Sequence, residues 1–449
     1  MANSGKALLV NPWITDFAAH DLWARPLGLL VLGSMLRRAG WKTEYIDCLQ
    51  RDPTDEGENA VPPTFGRFGT GKYRKEPMPA PEAVAGLERR YWRYGIPEEL
   101  LEKKLARHRD ASLVLVTCTM TYWYPGLRET IRTIRKVLPG SKVWLGGNYA
   151  RLCREHAERH GGADRVFSGS MKEALEALGI ELPDPFEDTR ILDVAEAMEV
   201  VDEPRHAPLL LGIGCPQRCS YCASSVLWPG FRRVAPERAF RQLRVMNEKR
   251  GIRDFAFYDD ALLFDANERI VPFLELVIRQ GLDVRFHTPN GLFIRQLDGR
   301  LCSLMKEAGF ETIRLGLETT GPSPVGVGGG KARMEDFERA CRNLFSAGFT
   351  RKQVGAYLLY GLPGQSPEQV AGAISTVAGF GVRPYLAEYS PIPGTVLFSR
   401  LPEKLQEALQ REPLLQNNSC VPLWNESFDQ QTMRQLKELA RRHRALLDG

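Results

Sequence analysis

Gly212-Ile-Gly-Cys-Pro-Gln-Arg-Cys-Ser-Tyr-Cys-Ala223 is the stretch that decides the fold of this 449-residue chain. It sets Cys215, Cys219 and Cys222 close together on a segment that Gly214 and Pro216 keep from being a plain helix. A loop with this spacing can wrap one corner of an iron–sulfur cube, filling three iron sites and leaving the fourth open. Cluster iron is normally closed by four cysteines, so a three-cysteine corner implies a position reserved for another ligand. Two other readings stand beside this one. On a helix, positions 215, 219 and 222 would share one face and could simply be packed, since buried cysteine behaves as a small hydrophobe. A zinc site completed by a distant Cys or His is the third, although zinc loops usually show paired C-x2-C or His spacing.

Working outward, an apolar strand from Ala207 to Ile213 precedes the loop, and from Leu209 onward strands alternate with helices. Strands are expected near 209–213, 254–258, 283–287, 312–317, 353–359 and 384–389. Six parallel strand–helix units make an open partial barrel, whose chemistry belongs on the loops at the carboxyl ends of the strands. Each strand ends in a distinctive turn: Tyr258-Asp259-Asp260, Thr288-Pro289-Asn290-Gly291, Gly316-Leu317-Glu318-Thr319, Gly361-Leu362-Pro363-Gly364 and Ser390-Pro391-Ile392-Pro393-Gly394-Thr395. Alone each is ordinary punctuation. In this order behind the C-x3-C-x2-C loop they resemble the radical S-adenosylmethionine (SAM) family.

That resemblance implies that Cys215, Cys219 and Cys222 hold a [4Fe–4S] cluster whose open iron binds SAM. It gives the Asp259-Asp260 segment to the SAM amino group, with Asp260 the preferred residue. Asn290 and Glu318 would face the methionine or ribose portion. The turns at Gly361 and Pro391 would offer backbone contacts to adenine, and the aromatic ring of Tyr221 would also touch it.

The first half of the chain also alternates strands and helices: Lys6–Val10, a helix from about Pro26 to Gly40, Lys42–Asp47, Ser112–Cys118, a helix over Leu127–Leu138, Lys142–Leu145 and a short strand at Val166-Phe167. This pattern argues for a doubly wound, Rossmann-like parallel sheet over residues 1–180. An insertion runs from about 51 to 110. Its first part is rich in Pro and Gly, and its second is expected to be helical over Glu88–Arg107; a lid is one use for such an element. Residues 181–207 read as a linker, 208–400 as the barrel and 401–449 as a small helical region.

The amino-terminal sheet resembles the cobalamin-binding domain that precedes the barrel in one branch of the family. The resembling features are Asn11-Pro12, Pro26-Leu27-Gly28-Leu29-Leu30, Thr117-Cys118-Thr119 and Leu145-Gly146-Gly147-Asn148-Tyr149-Ala150. Asn11, Thr119, Gly146, Gly147 and Asn148 are the residues it assigns to cobalamin. For Gly146-Gly147 alone a tight strand–helix turn is the plainer reading. Two departures matter. The Asp-x-His-x-x-Gly motif that supplies cobalt with a histidine is absent, His20 reading as a surface residue. The Gly-Glu-Gly-Glu expected near the fifth strand is replaced by Ser168-Gly169-Ser170-Met171.

Composition narrows the rest. Hydrophobic content of 43% allows large cores, and a net charge of +5 is too mild to imply a nucleic-acid partner. Arg89-Arg90 and Arg441-Arg442 are expected on solvated helix faces. Ala7–Val10 is too short for a secretory signal, and no stretch approaches the ~20 apolar residues of a membrane span. Nine cysteines spread through a long chain fit reduced cytosolic thiols, so a cytoplasmic location is expected. Cys302 and Cys341 read as packing residues, and Cys420 carries no readable role. Gly326–Lys331 looks like a phosphate loop but has Val325 and Ala332 at two required positions.

The two-domain order implies a cobalamin-dependent radical SAM methyltransferase, which methylates an unactivated carbon through a 5′-deoxyadenosyl radical. Its substrate would be a small molecule, lipid or natural product, and its electron donor of flavodoxin or ferredoxin type. Cyclisation or ring rearrangement is the alternative outcome, and an amino-terminal sheet without cobalamin a further one. A methylthiotransfer reading would cast Cys48, Cys118 and Cys153 as cluster ligands, and an iron–sulfur sensor would need no SAM-site carboxylates.

Overall fold

The computed structural model describes residues 5–51, 60–321 and 333–448. The Gly326–Lys331 loop and part of the insertion lie outside them. The chain divides into two compact units, Met1–Pro204 with Gln406–Asn417, and Arg205–Leu405 with Asn418–Gly449.

The first unit contains strands β1 (Lys6–Asn11), β2 (Ile14–Asp16), β3 (Lys42–Asp47), β4 (Lys75–Met78), β5 (Tyr91–Tyr94), β6 (Leu113–Thr117), β7 (Lys142–Gly146) and β8 (Arg165–Val166). Five of them form a parallel sheet in the order β8-β7-β6-β1-β3. Ala7, Leu8, Leu9 and Val10 are all fully buried, as a central strand covered on both faces requires. The order reverses between β1 and β6, so Asn11 and Thr117 end the two strands that flank the switch point.

Two expectations for this unit are corrected. The stretch Glu88–Arg107 is helical only over Glu98–Ala106, and Tyr91–Tyr94 is instead the centre of an antiparallel sheet, β2-β5-β4. Three aromatics in four residues suit a pleated, half-buried surface. Tyr94 and Trp92 pack with Ile14 and Tyr73, and Pro97 caps the helix that follows. Arg89 and Arg90 accordingly precede a strand, whereas Arg441 and Arg442 do lie on a helix. The 181–207 stretch is no free linker, since most of it folds with the first unit. Leu192, Val194, Ala197 and Met198 are buried, and Glu196 pairs with Arg38 of helix Leu27–Arg38.

The second unit holds β9 (Ala207–Leu209), β10 (Gly212–Gly214), β11 (Phe231–Arg233), β12 (Asp254–Phe257), β13 (Arg285–His287), β14 (Phe310–Glu318), β15 (Val354–Tyr360) and β16 (Arg383–Glu388). Six run parallel in chain order, β9-β12-β13-β14-β15-β16, which is the expected partial barrel. Its core is aromatic: Phe257 stacks on Phe310 at 5.8 Å and Phe286 lies 5.3 Å from Phe310. Each such ring contributes roughly 1.5–3 kcal/mol by leaving water. At the amino end of β12, Asp254 binds Arg285 and accepts a 3.1 Å contact from buried His287, whose other ring nitrogen meets Thr312. This network joins three strands at the end of the barrel that is concerned with stability.

One barrel boundary differs from expectation. The first strand stops at Leu209, and Gly212–Gly214 leaves the barrel to form a hairpin with Phe231–Arg233. The Leu211 N–H is taken by the Asp259 carboxylate at 3.0 Å and the Leu211 carbonyl by Arg269 Nε at 3.0 Å. Side chains thus replace the neighbouring strand and end the ladder.

The carboxyl-terminal region also divides. Residues 406–417 join the first unit, where the Tyr124 hydroxyl donates to Glu412 and Asn417 Nδ2 to Asp16 at 2.9 Å. Helix Gln430–Asp448 packs in the second unit, its Arg444 donating to the Pro384 carbonyl at 2.7 Å. Among the described residues no helix is long and apolar enough to cross a membrane.

Candidate functional site

The cysteine loop spans the two strands of the β10–β11 hairpin, beyond the end of β9. Gly214, at φ +83°, starts it, and a Cβ there would lie 2.3 Å from the Gly230 carbonyl. Only glycine satisfies both the torsion and the close approach. The loop is fastened by the Leu397 N–H, which donates to the Ser220 carbonyl at 2.7 Å, and by Cys222 N donating to Cys219 O at 3.1 Å. Cys215, Cys219 and Cys222 are partly exposed, whereas Cys48, Cys118, Cys153, Cys302, Cys341 and Cys420 are all buried.

Exposure separates the two sets chemically. Burial lifts the Cys153 thiol to about 11 and pushes Cys48 and Cys118 higher than usual, so the methylthiotransfer reading finds no accessible thiolates. Cys302 and Cys341 are packing residues as expected. Burial also raises Cys215 to about 11, helped by the charges of Cys222 and Asp260. Its thiolate is therefore favoured only when a cation binds it. Among the described residues no three His, Cys, Asp or Glu side chains gather to hold a single metal ion. A cube takes one thiolate per iron, so its ligands ring it instead of converging. The donor set fits a cluster.

Of the Asp259-Asp260 pair, the structure leaves only Asp260 facing the cysteine loop. Asp260 is hydrogen-bonded to Ser224, and burial raises its carboxyl above the usual range. Asp259 is corrected: it is not available to a ligand amine. Its carboxylate accepts from Arg269 Nη2 at 2.7 Å and from Leu211 N, with both side chains 1% exposed. Burial still lifts it to about 6 against the pull of Arg269. Arg269 in turn donates to the carbonyls of Leu211, Ala261 and Phe264 and lies 4.7 Å from the Phe231 ring centroid. A Cβ at Gly212 would meet its Nη2 at 2.4 Å. Arg269 therefore holds the hairpin root, the end of β12 and the loop after it in one arrangement. No motif in the sequence announced it.

Glu318 and Tyr221 come together. The Tyr221 hydroxyl is hydrogen-bonded to Glu318, and burial first, then that carboxylate, holds its pKa far above the usual tyrosine value. Glu318 sits at φ +68° where the β14–β15 register slips. Such a torsion costs a non-glycine residue about 1–3 kcal/mol and gathers at functional sites. Asn290 is exposed and donates to the Asp259 carbonyl at 3.1 Å, steadying the turn beside Asp260. At the Gly361 turn the carbonyl accepts from Asn425 Nδ2 at 3.1 Å, and a Cβ there would lie 2.9 Å from Val421. Pro391 is buried, and its turn touches the cysteine loop through Leu397.

In the first unit the residues expected at cobalamin fall into two groups. Thr119 is exposed, Asn148 partly so, and a Cβ at Gly146 would meet nothing within 4 Å. These three positions are open to solvent at the carboxyl ends of β6 and β7. Asn11 and Gly147 make close contacts of their own. Asn11 Nδ2 donates to Asp47 at 2.8 Å. Gly147 has a φ of +91°, and a Cβ there would lie 2.4 Å from Thr117 Oγ1. Gly147 is a tight strand–helix turn.

Residues 209–377 match the radical SAM superfamily and residues 83–179 the B12 binding domain. Bacteriochlorophyllide d C-12(1)-methyltransferase of Chlorobaculum tepidum is 22% identical over 250 residues, covering 54% of this chain and 52% of that protein. The apo structure of the cobalamin-dependent S-adenosylmethionine radical enzyme OxsB matches 94% of this chain and 56% of its own, with a TM-score of 0.56 and 11% identity. At that identity the likeness shows the fold. The chain spans about half the length of these relatives. A radical SAM domain implies a [4Fe–4S] cluster and SAM, and a B12-binding domain supports cobalamin beside them. The chain thus carries a B12-binding domain ahead of a radical SAM domain, the order also found in the fold of that cobalamin-dependent radical enzyme.

Proposed function

We propose that this protein is a cobalamin-dependent radical SAM methyltransferase that acts on an unactivated carbon of a small-molecule, lipid or natural-product substrate. The observation that carries the reading is the loop on which only Cys215, Cys219 and Cys222, of nine cysteines, are accessible, with Asp260 facing it. Methylation is supported by the distant methyltransferase relative.

When bound, the cluster and SAM supply a 5′-deoxyadenosyl radical, and cobalamin carries the methyl group. The chain's residues bind and orient these groups. Cys215, Cys219 and Cys222 would hold three irons of the cluster. Asp260, desolvated and aimed at the loop, holds the amino group of SAM by a charge-assisted contact. The Tyr221–Glu318 pair fixes one wall of the same mouth, and Pro391 supports it from the last turn. Thr119, Gly146 and Asn148 provide the rim for cobalamin. A flavodoxin- or ferredoxin-type donor delivers the electron.

The test is anaerobic preparation with cobalamin, EPR before and after reduction, and product analysis with methyl-labelled SAM. A reduced-cluster signal perturbed by SAM, a cob(II)alamin signal and labelled product are expected. Unlabelled, rearranged product would replace methylation with cyclisation.

A further inference from the structure

Ser224 stands between the cysteine loop and the Asp260 carboxylate. The Cys222 thiol donates to the Ser224 hydroxyl at 3.3 Å, and the Ser224 backbone N–H reaches the same sulfur at 3.5 Å. The hydroxyl is also hydrogen-bonded to Asp260. Ser224 is partly buried at the start of the short helix Ser224–Leu227.

A serine hydroxyl has one proton and donates it to one acceptor at a time. As an iron ligand Cys222 is a thiolate, so its sulfur no longer donates and becomes an acceptor. Carboxylate and sulfur then compete for the Ser224 proton. A free carboxylate wins, because O–H···O⁻ bonds are short and strong. Once an ammonium group pairs with the carboxylate, that advantage falls and the sulfur becomes the better acceptor. Hydrogen bonds to cluster sulfurs tune the reduction potential, and neutralising thiolate charge favours the reduced state.

We propose that Ser224 is a positioning residue that couples occupancy of Asp260 to the reduction potential of the cluster. Its hydroxyl donates to Asp260 while that carboxylate is free, and to the Cys222 sulfur once a ligand amine holds the carboxylate. This rests on the radical SAM reading above. Only a hydrogen bond changes partner, so no further oxidant or proton donor is required. Coupling is reciprocal: the cluster becomes easier to reduce when SAM is bound, and SAM binds the reduced protein more tightly.

The experiment uses the full chain with its cluster loaded anaerobically, as wild type, Ser224→Ala, Ser224→Val and Ser224→Thr. Iron content is measured first, since all variants keep the backbone N–H to Cys222. EPR-monitored redox titrations are then run with and without SAM, alongside SAM affinity in both oxidation states. Without SAM the four proteins are expected to share one midpoint potential. With SAM, Ala and Val fall below wild type while Thr matches it. The preference of SAM for the reduced protein drops about fivefold in Ala and Val, at the low end of coupling between sites. Wild-type potentials in Ala and Val under both conditions would overturn the proposal, as would an equal lowering with and without SAM. Val, isosteric with Thr, carries the comparison if Ala loads poorly. A wild-type cluster that SAM leaves unperturbed would instead sink the radical SAM reading itself.

Discussion

The Asp259 carboxylate and the Arg269 guanidinium meet at 2.7 Å with 1% of either side chain exposed. Ten residues apart in sequence, they tie the end of β12 to Leu211, the residue that ends the β9 ladder and leads into the cysteine hairpin. The site is built on a buried ion pair whose acid reads as a ligand residue from its motif alone, and whose base belongs to no motif.

Removing either partner leaves an uncompensated buried charge, which costs about 3–5 kcal/mol. Arg269→Met and Asp259→Asn are expected to lower the denaturation midpoint and the soluble yield. Chemical denaturation of the purified variants checks this. An unchanged midpoint in Asp259→Asn, with SAM binding weakened tenfold, would return Asp259 to the ligand site.

Asp260→Asn should behave in the opposite way. Iron content and the denaturation midpoint stay near wild type, while the dissociation constant for SAM rises about 10- to 100-fold, the value of a hydrogen bond to a charged group. Equilibrium binding of SAM to the loaded protein measures it.

Gly214 and Gly230 give a matched pair. Both have positive φ, but a Cβ at Gly214 would lie 2.3 Å from the Gly230 carbonyl, while one at Gly230 meets nothing within 4 Å. Gly230→Ala is expected to cost about 1–2 kcal/mol from torsion alone and to keep its iron. Gly214→Ala must move the hairpin and should lose most of its iron, read by iron and sulfide analysis of the purified proteins.

His156 carries a pH dependence. It accepts from the Tyr149 hydroxyl at 2.6 Å and lies 4.5 Å, ring to ring, from His160. Burial first, then the charges of His160, Arg128 and Arg159, lowers its pKa from 6.5 to about 4. Between these values the unfolded chain binds a proton that the folded one does not, so stability rises as pH rises from about 4 to 6.5. His156→Asn keeps an acceptor for Tyr149 but removes the titration. Its thermal midpoint should depend less on pH across that window, and the ring-proton NMR signal titrating near 4 should disappear.

Much of this arrangement is legible in the chain alone. Apolar runs such as Ala7–Val10 and Val354–Tyr360 between turn residues read as covered strands, and the spacing of Cys215, Cys219 and Cys222 with the turns behind it resembles a known cluster loop. Local patterns mislead where packing overrides them. Glu88–Arg107 reads as a charged helix, yet Tyr91–Tyr94 finds two antiparallel partners and becomes a strand. Residues 181–207 have the prolines of a linker, but Leu192, Val194, Ala197 and Met198 are buried and Glu196 pairs with Arg38.

Local pattern was enough for the two α/β units, their order, and the candidate cysteine loop, because strand periodicity and cysteine spacing are properties of short segments. Packing in three dimensions was needed to choose which carboxylate of the Asp259-Asp260 pair faces that loop, and to commit Gly147 and Gly361 to close contacts. Packing also brought Arg269 and Ser224 into the site. Those assignments depend on which groups, distant in the chain, reach hydrogen-bonding distance after burial, and no short segment encodes that choice.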